Sequence, residues 1–246
     1  MTITAILSAL AEEQQGLLEL LQQPQKISHA GRDFWQGRLH GQPVVLAISR
    51  IGKVSAATTS AALIERFKVS RIVFTGVAGG LGEGVQVGDV VVATEFLQHD
   101  LDASPIFPRY EVPLYGRSRF ACDAALTALL LQAVRAGLES LALPATTLLH
   151  RGLIASGDRF VSGAPESRAL RSALQGGGHE VLAVEMEGAA AAQVCFDYGV
   201  PFAAVRTISD RADDTAHVDF PAFVKDVASL YAQAIARHLL GLLSKQ

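Results

Sequence analysis

Two rhythms of apolar and polar residues run along this chain, and the switch between them marks its elements. Short, nearly unbroken apolar runs occur at Ile3 to Leu7, Arg71 to Thr75, Val90 to Phe96, Thr146 to Ala155, Val181 to Val184 and Phe202 to Ile208. Runs of about four to eight such residues between turn residues read as strands buried on both faces of a sheet. Phe34 to Leu39 and Val44 to Ser49 read as two further strands around a turn at His40 to Pro43. Between these runs the apolar residues fall at helical spacing. One helix opens at Ser8 to Gln14 and turns Leu17, Leu18, Leu20 and Leu21 inward. Others lead from Ile51-Gly52-Lys53 through Phe67, and span Cys122 to Gly137, Pro165 to Leu174, Gly188 to Cys195 and Phe220 to Leu243. Strands alternating with helices predict an α/β fold. No repeat or Pro/Ser-rich linker interrupts residues 1–246, so a single domain is expected.

The stretch from Val181 to Asp210 organises the rest. It reads as strand, Ala-rich crossover helix, Gly-Val-Pro turn and strand. Both strands end in carboxylates, Glu185 and Glu187 after the first and Asp210 after the second. In open α/β sheets ligands bind in the crevice beyond the carboxyl ends of the strands. These acids are therefore expected to face one pocket.

Composition narrows the classes of function. A hydrophobic share of 50% and a mean hydropathy of +0.29 suit a sheet covered on both faces. A net charge of -3 and a pI near 6.2 offer no electrostatic footprint for nucleic acid. No run approaches the roughly 20 apolar residues of a membrane span. Cys122 and Cys195 supply neither a disulfide framework nor zinc spacing, so a reducing cytoplasm is the expected setting. The apolar start lacks a basic region and runs straight into Glu12 and Glu13, unlike a targeting segment.

Several motifs carry candidate chemistry, each with a plainer reading beside it. Glu12 and Glu13 sit in a first helical turn, where the dipole favours carboxylates, and their directions there differ by about 100°. Only one of them is expected to enter a pocket. The glycine-rich stretch Thr75 to Gly84 reads as a loop after a strand, either a tight turn or a close backbone wall for a ligand. Its glycines do not follow the dinucleotide fingerprint, and no phosphate-loop lysine is present. His99, Asp100 and Asp102 have no further clustered ligand at reliable spacing, so a polar loop or subunit contact outranks a metal. Arg117 and Arg119 are either surface charges or anion binders. Phe160 and Val161, just past a strand end, read as core packing or as a sandwich for a flat ring.

Glu13, the glycine stretch, Phe160-Val161, Glu185 to Glu187, Arg206 and Asp210 together describe a purine-sized slot with several carboxylates. Cleaving an N-glycosidic bond needs a proton for the departing base, a carboxylate beside the cationic sugar and a group to deprotonate water. Ser8-Ala9-Leu10-Ala11-Glu12-Glu13, Thr75-Gly76-Val77-Ala78-Gly79-Gly80, Val87-Gly88-Asp89-Val90, Ser156-Gly157-Asp158-Arg159-Phe160, Val184-Glu185-Met186-Glu187 and Arg206-Thr207-Ile208-Ser209-Asp210 follow one another in a familiar order. That order resembles the 5'-methylthioadenosine/S-adenosylhomocysteine nucleosidases of the nucleoside phosphorylase superfamily, over nearly the whole chain.

The resemblance implies a three-layer α/β/α subunit with a central mixed, partly barrel-like sheet, paired as a homodimer. It implies that Asp210 protonates adenine N7, that Glu13 activates water and that Arg206 assists there. Glu187 then holds the ribose hydroxyls, with Met186 lining the ribose; Glu185 and Ser209 are further binding candidates, with backbone bonding the alternative reading for Glu185. Phe160 stacks on the base, and the Val161 backbone reads its edge. Ala78 and Gly79 wall the base site, and Ile51 lines the 5' pocket with Ile106 and Phe107 of a partner. A nucleoside is the expected ligand, and no metal, organic cofactor, nucleic acid or membrane is expected. Val77 and Arg50 depart from the residues usual at those places, serine and glycine, which bears on substrate preference. A phosphorylase on the same fold and a non-catalytic nucleoside-binding protein are the alternative readings.

Overall fold

The computed structural model describes residues 2–141, 147–213, 216, 220 and 223–245. Among the described residues, ten strands form one mixed sheet. They are β1 Thr4–Ser8, β2 Gln22–His29, β3 Arg32–Leu39, β4 Gln42–Ile48, β5 Arg71–Gly80, β6 Val90–Gln98, β7 Arg119–Ala121, β8 Leu149–Ser156, β9 Val181–Glu185 and β10 Phe202–Asp210. Six α-helices are described: α1 Ala11–Glu19, α2 Lys53–Glu65, α3 Ala124–Ser140, α4 Ala164–Gly176, α5 Gly188–Tyr198 and α6 Ser229–Leu243. A wider, π-type turn at Val224–Ala228 leads into α6.

β5 explains the topology. Its first half pairs with β1, through Arg71 to Phe74, and its last two residues pair with β9. Its other side pairs with β10, whose far edge pairs with β6. The ring β5–β10–β6–β8–β9 therefore closes on itself, while β1, β4, β3 and β2 extend away from it. This is the mixed, partly barrel-like sheet that the family resemblance implies.

Most of the glycine-rich stretch is strand, and only Leu81 to Gly84 beyond it turn, with Gly84 at φ +79°. Gly76, Gly79 and Gly80 lie within β5, and none needs a left-handed backbone. They are small because neighbours come close. A Cβ on Gly76 would stand 2.9 Å from Glu13 Oε1, and one on Gly79 would stand 2.9 Å from Asp210 Oδ1. Here the strand trades one neighbour for another, and side chains from α1 and β10 fill the space.

Helices cover both faces of the sheet. α2 and α5 pack through Ala62, Leu63, Ala189 and Ala192 on one side, around Phe74, Phe96 and Phe202. α3 and α6 cover the other through Leu130, Val134, Ile235 and Leu239. Glycine at Gly188 lets α5 reach the sheet, since a Cβ there would lie 2.1 Å from the Phe96 ring. α1 is shorter than expected and leaves Leu20 exposed, and β2 follows it unannounced. The expected strand start at Thr146, the polar residues Asp214, His217 and Asp219 of the stretch after β10, and part of the expected final helix between Phe220 and Leu243 lie outside the described residues. Among the described residues no helix is long and apolar enough to cross a membrane.

Candidate active site

The ends of β1, β5, β8, β9 and β10 surround a cavity of about 430 Å³. That size falls within the range typical of small-molecule sites. Its lining includes Glu13, Ile51, Ala78, Gly79, Phe160, Val161, Glu185, Met186, Glu187, Ser209 and Asp210. All the expected site residues but Arg206 therefore meet in one place. Glu12, the alternative to Glu13, is exposed on the helix and does not line it.

Glu13 enters from the first turn of α1. Its Oε2 accepts from the backbone N–H groups of Ala9, at 2.8 Å, and Leu10, at 2.9 Å. Its Oε1 accepts from Val77 N at 3.0 Å. Val77 lies where β5 has left β1 and has not yet met β9, so the carboxylate replaces a missing sheet partner. Burial pushes the Glu13 carboxyl above its ordinary range, and the three donors and the Arg206 charge partly offset that.

Glu187 follows β9 by two residues and directly precedes α5. Its Oε1 accepts from Gly52 N at 2.8 Å. Burial, then the nearby Glu185 carboxylate, pushes its carboxyl up to about 8. Asp210 closes β10. Its Oδ2 accepts from Ser209 Oγ at 2.8 Å and its Oδ1 from Ala212 N at 2.8 Å, which fixes the plane of the carboxyl group.

Glu185 lines the same cavity, but its oxygens are held by the protein. Oε2 pairs with Arg206 Nη2 at 2.8 Å, and Ser156 Oγ donates to Oε1. Gly188 N reaches both oxygens, at 2.9 and 3.0 Å, so Glu185 caps α5 and holds its positive end. It builds the site, and its oxygens are not free for a ligand.

Arg206 is a correction to position. It is 1% exposed and does not line the cavity. Its guanidinium lies over the Phe74 ring at 4.2 Å and donates to the carbonyls of Phe74 and Val205. Its Nη2 pairs with Glu185, at the end of β9, at 2.8 Å. It acts on the site through its charge, which lowers the proton affinity of Glu13 and Glu187.

Phe160, 42% exposed, stands at the mouth, and Ile51 is also exposed there. Phe160 meets Phe220 edge to face at 5.6 Å, and Phe220 lines the cavity too. Sequence reasoning missed Phe220, as well as Ala9, Leu10 and Arg159. Ala9 and Leu10 follow the end of β1 directly, so the strand-end rule that flagged Glu13 extends to them. Phe220 carries no local signal, because its partner lies 60 residues away in the chain. Ile106 and Phe107 do not line this chain's own cavity. Arg159 pairs with Glu166 at 2.8 Å, Arg117 lies over the Phe196 ring, and Arg119 holds His179. Arg50 reaches the Gly31 carbonyl, away from the slot. Asp100 and Asp102 hold Lys53 and the Ser104 turn, and among the described residues no group of three or more His, Cys, Asp or Glu side chains is arranged to hold a metal ion.

A family model described as the phosphorylase superfamily matches residues 3–244. A 5'-methylthioadenosine/S-adenosylhomocysteine nucleosidase from Bacillus thuringiensis is 38% identical over 229 residues, 93% of this chain and 94% of its own. The chain belongs to this nucleosidase family of the phosphorylase superfamily. The same nucleosidase from Neisseria meningitidis, solved with methylthio-immucillin-A, superposes with a TM-score of 0.87 at 35% identity, covering 98% of this chain and 99% of that one. A futalosine hydrolase from Helicobacter pylori superposes with a TM-score of 0.85 at 32% identity, covering 98% of each chain. Membership of the nucleosidase family agrees with the α/β/α layering and the closed five-strand ring described above.

Proposed function

We propose that this protein hydrolyses the N-glycosidic bond of 5'-methylthioadenosine, S-adenosylhomocysteine and related 5'-substituted adenosines, releasing adenine and the 5'-substituted ribose. The observation that carries this reading is the meeting of Glu13, Glu187 and Asp210 around one apolar slot. Asp210, at the base end, donates a proton to adenine N7 as the bond breaks. Glu187 accepts from the ribose hydroxyls and, in its ionised form, stabilises the positive charge that grows on the sugar. Glu13, with three of its lone pairs already held by backbone N–H groups, orients and deprotonates a water. Phe160 stacks on the base, Met186 lines the ribose and Val161 presents its backbone to the base edge. Neither metal nor organic cofactor enters the scheme.

The phosphorylase reading needs cationic side chains around an anion. The cavity's one arginine among the described residues, Arg159, is paired with Glu166, and Arg206 is paired with Glu185 beneath the wall. A buried carboxylate at Glu13 would also repel phosphate. A non-catalytic binder would need no water-activating carboxylate.

The whole chain works as one domain in the cytoplasm, and two copies form a dimer in which Ile106 and Phe107 of one complete the 5' pocket of the other. Ile51, Val54, Ile106 and Leu114 are apolar and largely exposed, and supply the surface to be covered. Purified protein given 5'-methylthioadenosine should release adenine. Asp210→Asn should lower kcat by about 10²–10⁴-fold, the usual contribution of a positioned acid. Near-full activity in that variant would remove Asp210 from the mechanism.

A further inference from the structure

The start of α2 turns two successive backbone N–H groups onto two different carboxylates. Gly52 N donates to Glu187 Oε1 at 2.8 Å, and Lys53 N donates to Asp158 Oδ1 at 2.7 Å. Glu187 stands in the cavity wall. Asp158 lies two residues before Phe160, on the segment that carries the aromatic wall. Gly52 has φ +98°, and a Cβ there would stand 3.2 Å from Asp158 Oδ1, so glycine is needed for both backbone and space.

The Lys53 side chain closes a ring around this junction. Its Nζ donates to Asp100 Oδ1 at 2.6 Å and to Gln98 Oε1 at 3.1 Å, with Asp158 Oδ2 at 3.9 Å. The other oxygen of Asp100 accepts from Asp158 N at 2.8 Å. His99 N donates to Ser156 O at 2.9 Å, and Gly157 N to Glu185 O at 3.1 Å. Gly157 lies flat under the His99 ring, where a Cβ would come within 2.3 Å of Nε2. Exposed ion pairs usually add little, but here each carboxylate also takes a backbone N–H, which turns charge pairing into position.

We infer that Lys53, Asp100 and Asp158 form a positioning clamp that sets the Phe160–Val161 wall at a fixed distance from Glu187. None of the three lines the cavity, so they act through Phe160 on one side and Glu187 on the other. Assigning the base to Phe160 and the ribose to Glu187 rests on the nucleosidase reading; the clamp itself rests on the hydrogen bonds above. Its consequence is that base stacking and ribose binding are engaged together, and the binding of 5'-substituted adenosines depends on residues that touch no part of them.

The test compares Lys53→Met, Phe160→Ala and the double variant with the unaltered protein, using 5'-methylthioadenosine as substrate. Lys53→Met should raise KM about fivefold, the lower end of what stacking a base on an aromatic ring supplies, with a smaller change in kcat. The double variant should lose less in KM than the product of the two single losses, because part of the clamp's effect runs through that ring. Amide hydrogen exchange should speed up across residues 157–161 in ligand-free Lys53→Met and stay unchanged in α3. Asp100→Asn, which keeps the side chain's shape, should show the same exchange pattern and serves where Lys53→Met does not fold. Unchanged KM and exchange, or losses in the double variant that simply multiply, would overturn the clamp. If the unaltered protein releases no adenine, the nucleosidase reading fails, and the exchange measurement alone decides for or against the clamp.

Discussion

Replacing Glu187 with glutamine should make the folded protein more stable in alkali while destroying its activity. The Glu187 carboxyl is pushed from 4.5 up to about 8, first by burial and then by the Glu185 carboxylate. Between those two values the folded chain keeps a proton that the unfolded chain has released. Stability therefore falls as pH rises through that window and stays lower above it. The full displacement corresponds to about 5 kcal/mol. The side chain faces an open cavity, so water screens part of the charge, and about 2 kcal/mol is the expected share. Glu187→Gln removes the charge and keeps an acceptor for Gly52 N. For a chain of this size about 2 kcal/mol moves the thermal midpoint by about 4–8 °C. The assay is the thermal midpoint from pH 5 to pH 9. The two proteins should coincide near pH 5, and the variant should melt several degrees higher at pH 9. A residual slope should remain in the variant, because burial raises Glu13 in the same direction. A variant with the same pH slope as the unaltered protein, or one that melts lower at pH 9, would refute this account of Glu187.

Three further outcomes follow from the geometry. Gly79→Ala would bring a Cβ to 2.9 Å from Asp210 Oδ1 and 3.0 Å from Ala212 Cβ. It should cost about 1–3 kcal/mol in denaturant unfolding and displace Asp210 enough to lower kcat about 10²-fold. Arg206→Met should leave the Glu185 carboxylate buried without its cation and cost about 3–5 kcal/mol, measured by urea unfolding. Glu13→Gln cannot accept from all of Ala9, Leu10 and Val77 in either amide orientation. It should lose about 10²–10⁴-fold in kcat, and adenine binding, measured by calorimetry, should be largely kept.

Much of this arrangement was legible in the chain. The apolar runs at β1, β5, β6, β9 and β10 are buried on both faces, so they carry a signal that survives without tertiary context. The carboxylates that end β9 and β10 do reach a common cavity, as strand-end reasoning implies. β2 was not legible because Gln22–His29 is an exposed edge with no alternation, and only Ile27 packs inward. Its Pro24 and Lys26 are residues that discourage pairing at a free edge. The glycines of β5 looked like a loop because their partners, Glu13 and Asp210, are distant in sequence. The place of Arg206 was hidden for a related reason. Its residue type suggested a ligand contact, whereas β10 turns it toward Glu185 and Phe74. Phe220 belongs to the cavity only because the chain returns to Phe160 after β10.

The central claim is that water, and not phosphate, receives the ribose. The direct measurement incubates the protein with 5'-methylthioadenosine in ¹⁸O-labelled water, once without phosphate and once with it, and weighs the sugar product by mass spectrometry. The account predicts adenine and ¹⁸O-labelled methylthioribose at the same rate in both. An unlabelled sugar 1-phosphate, formed only when phosphate is present, would contradict it.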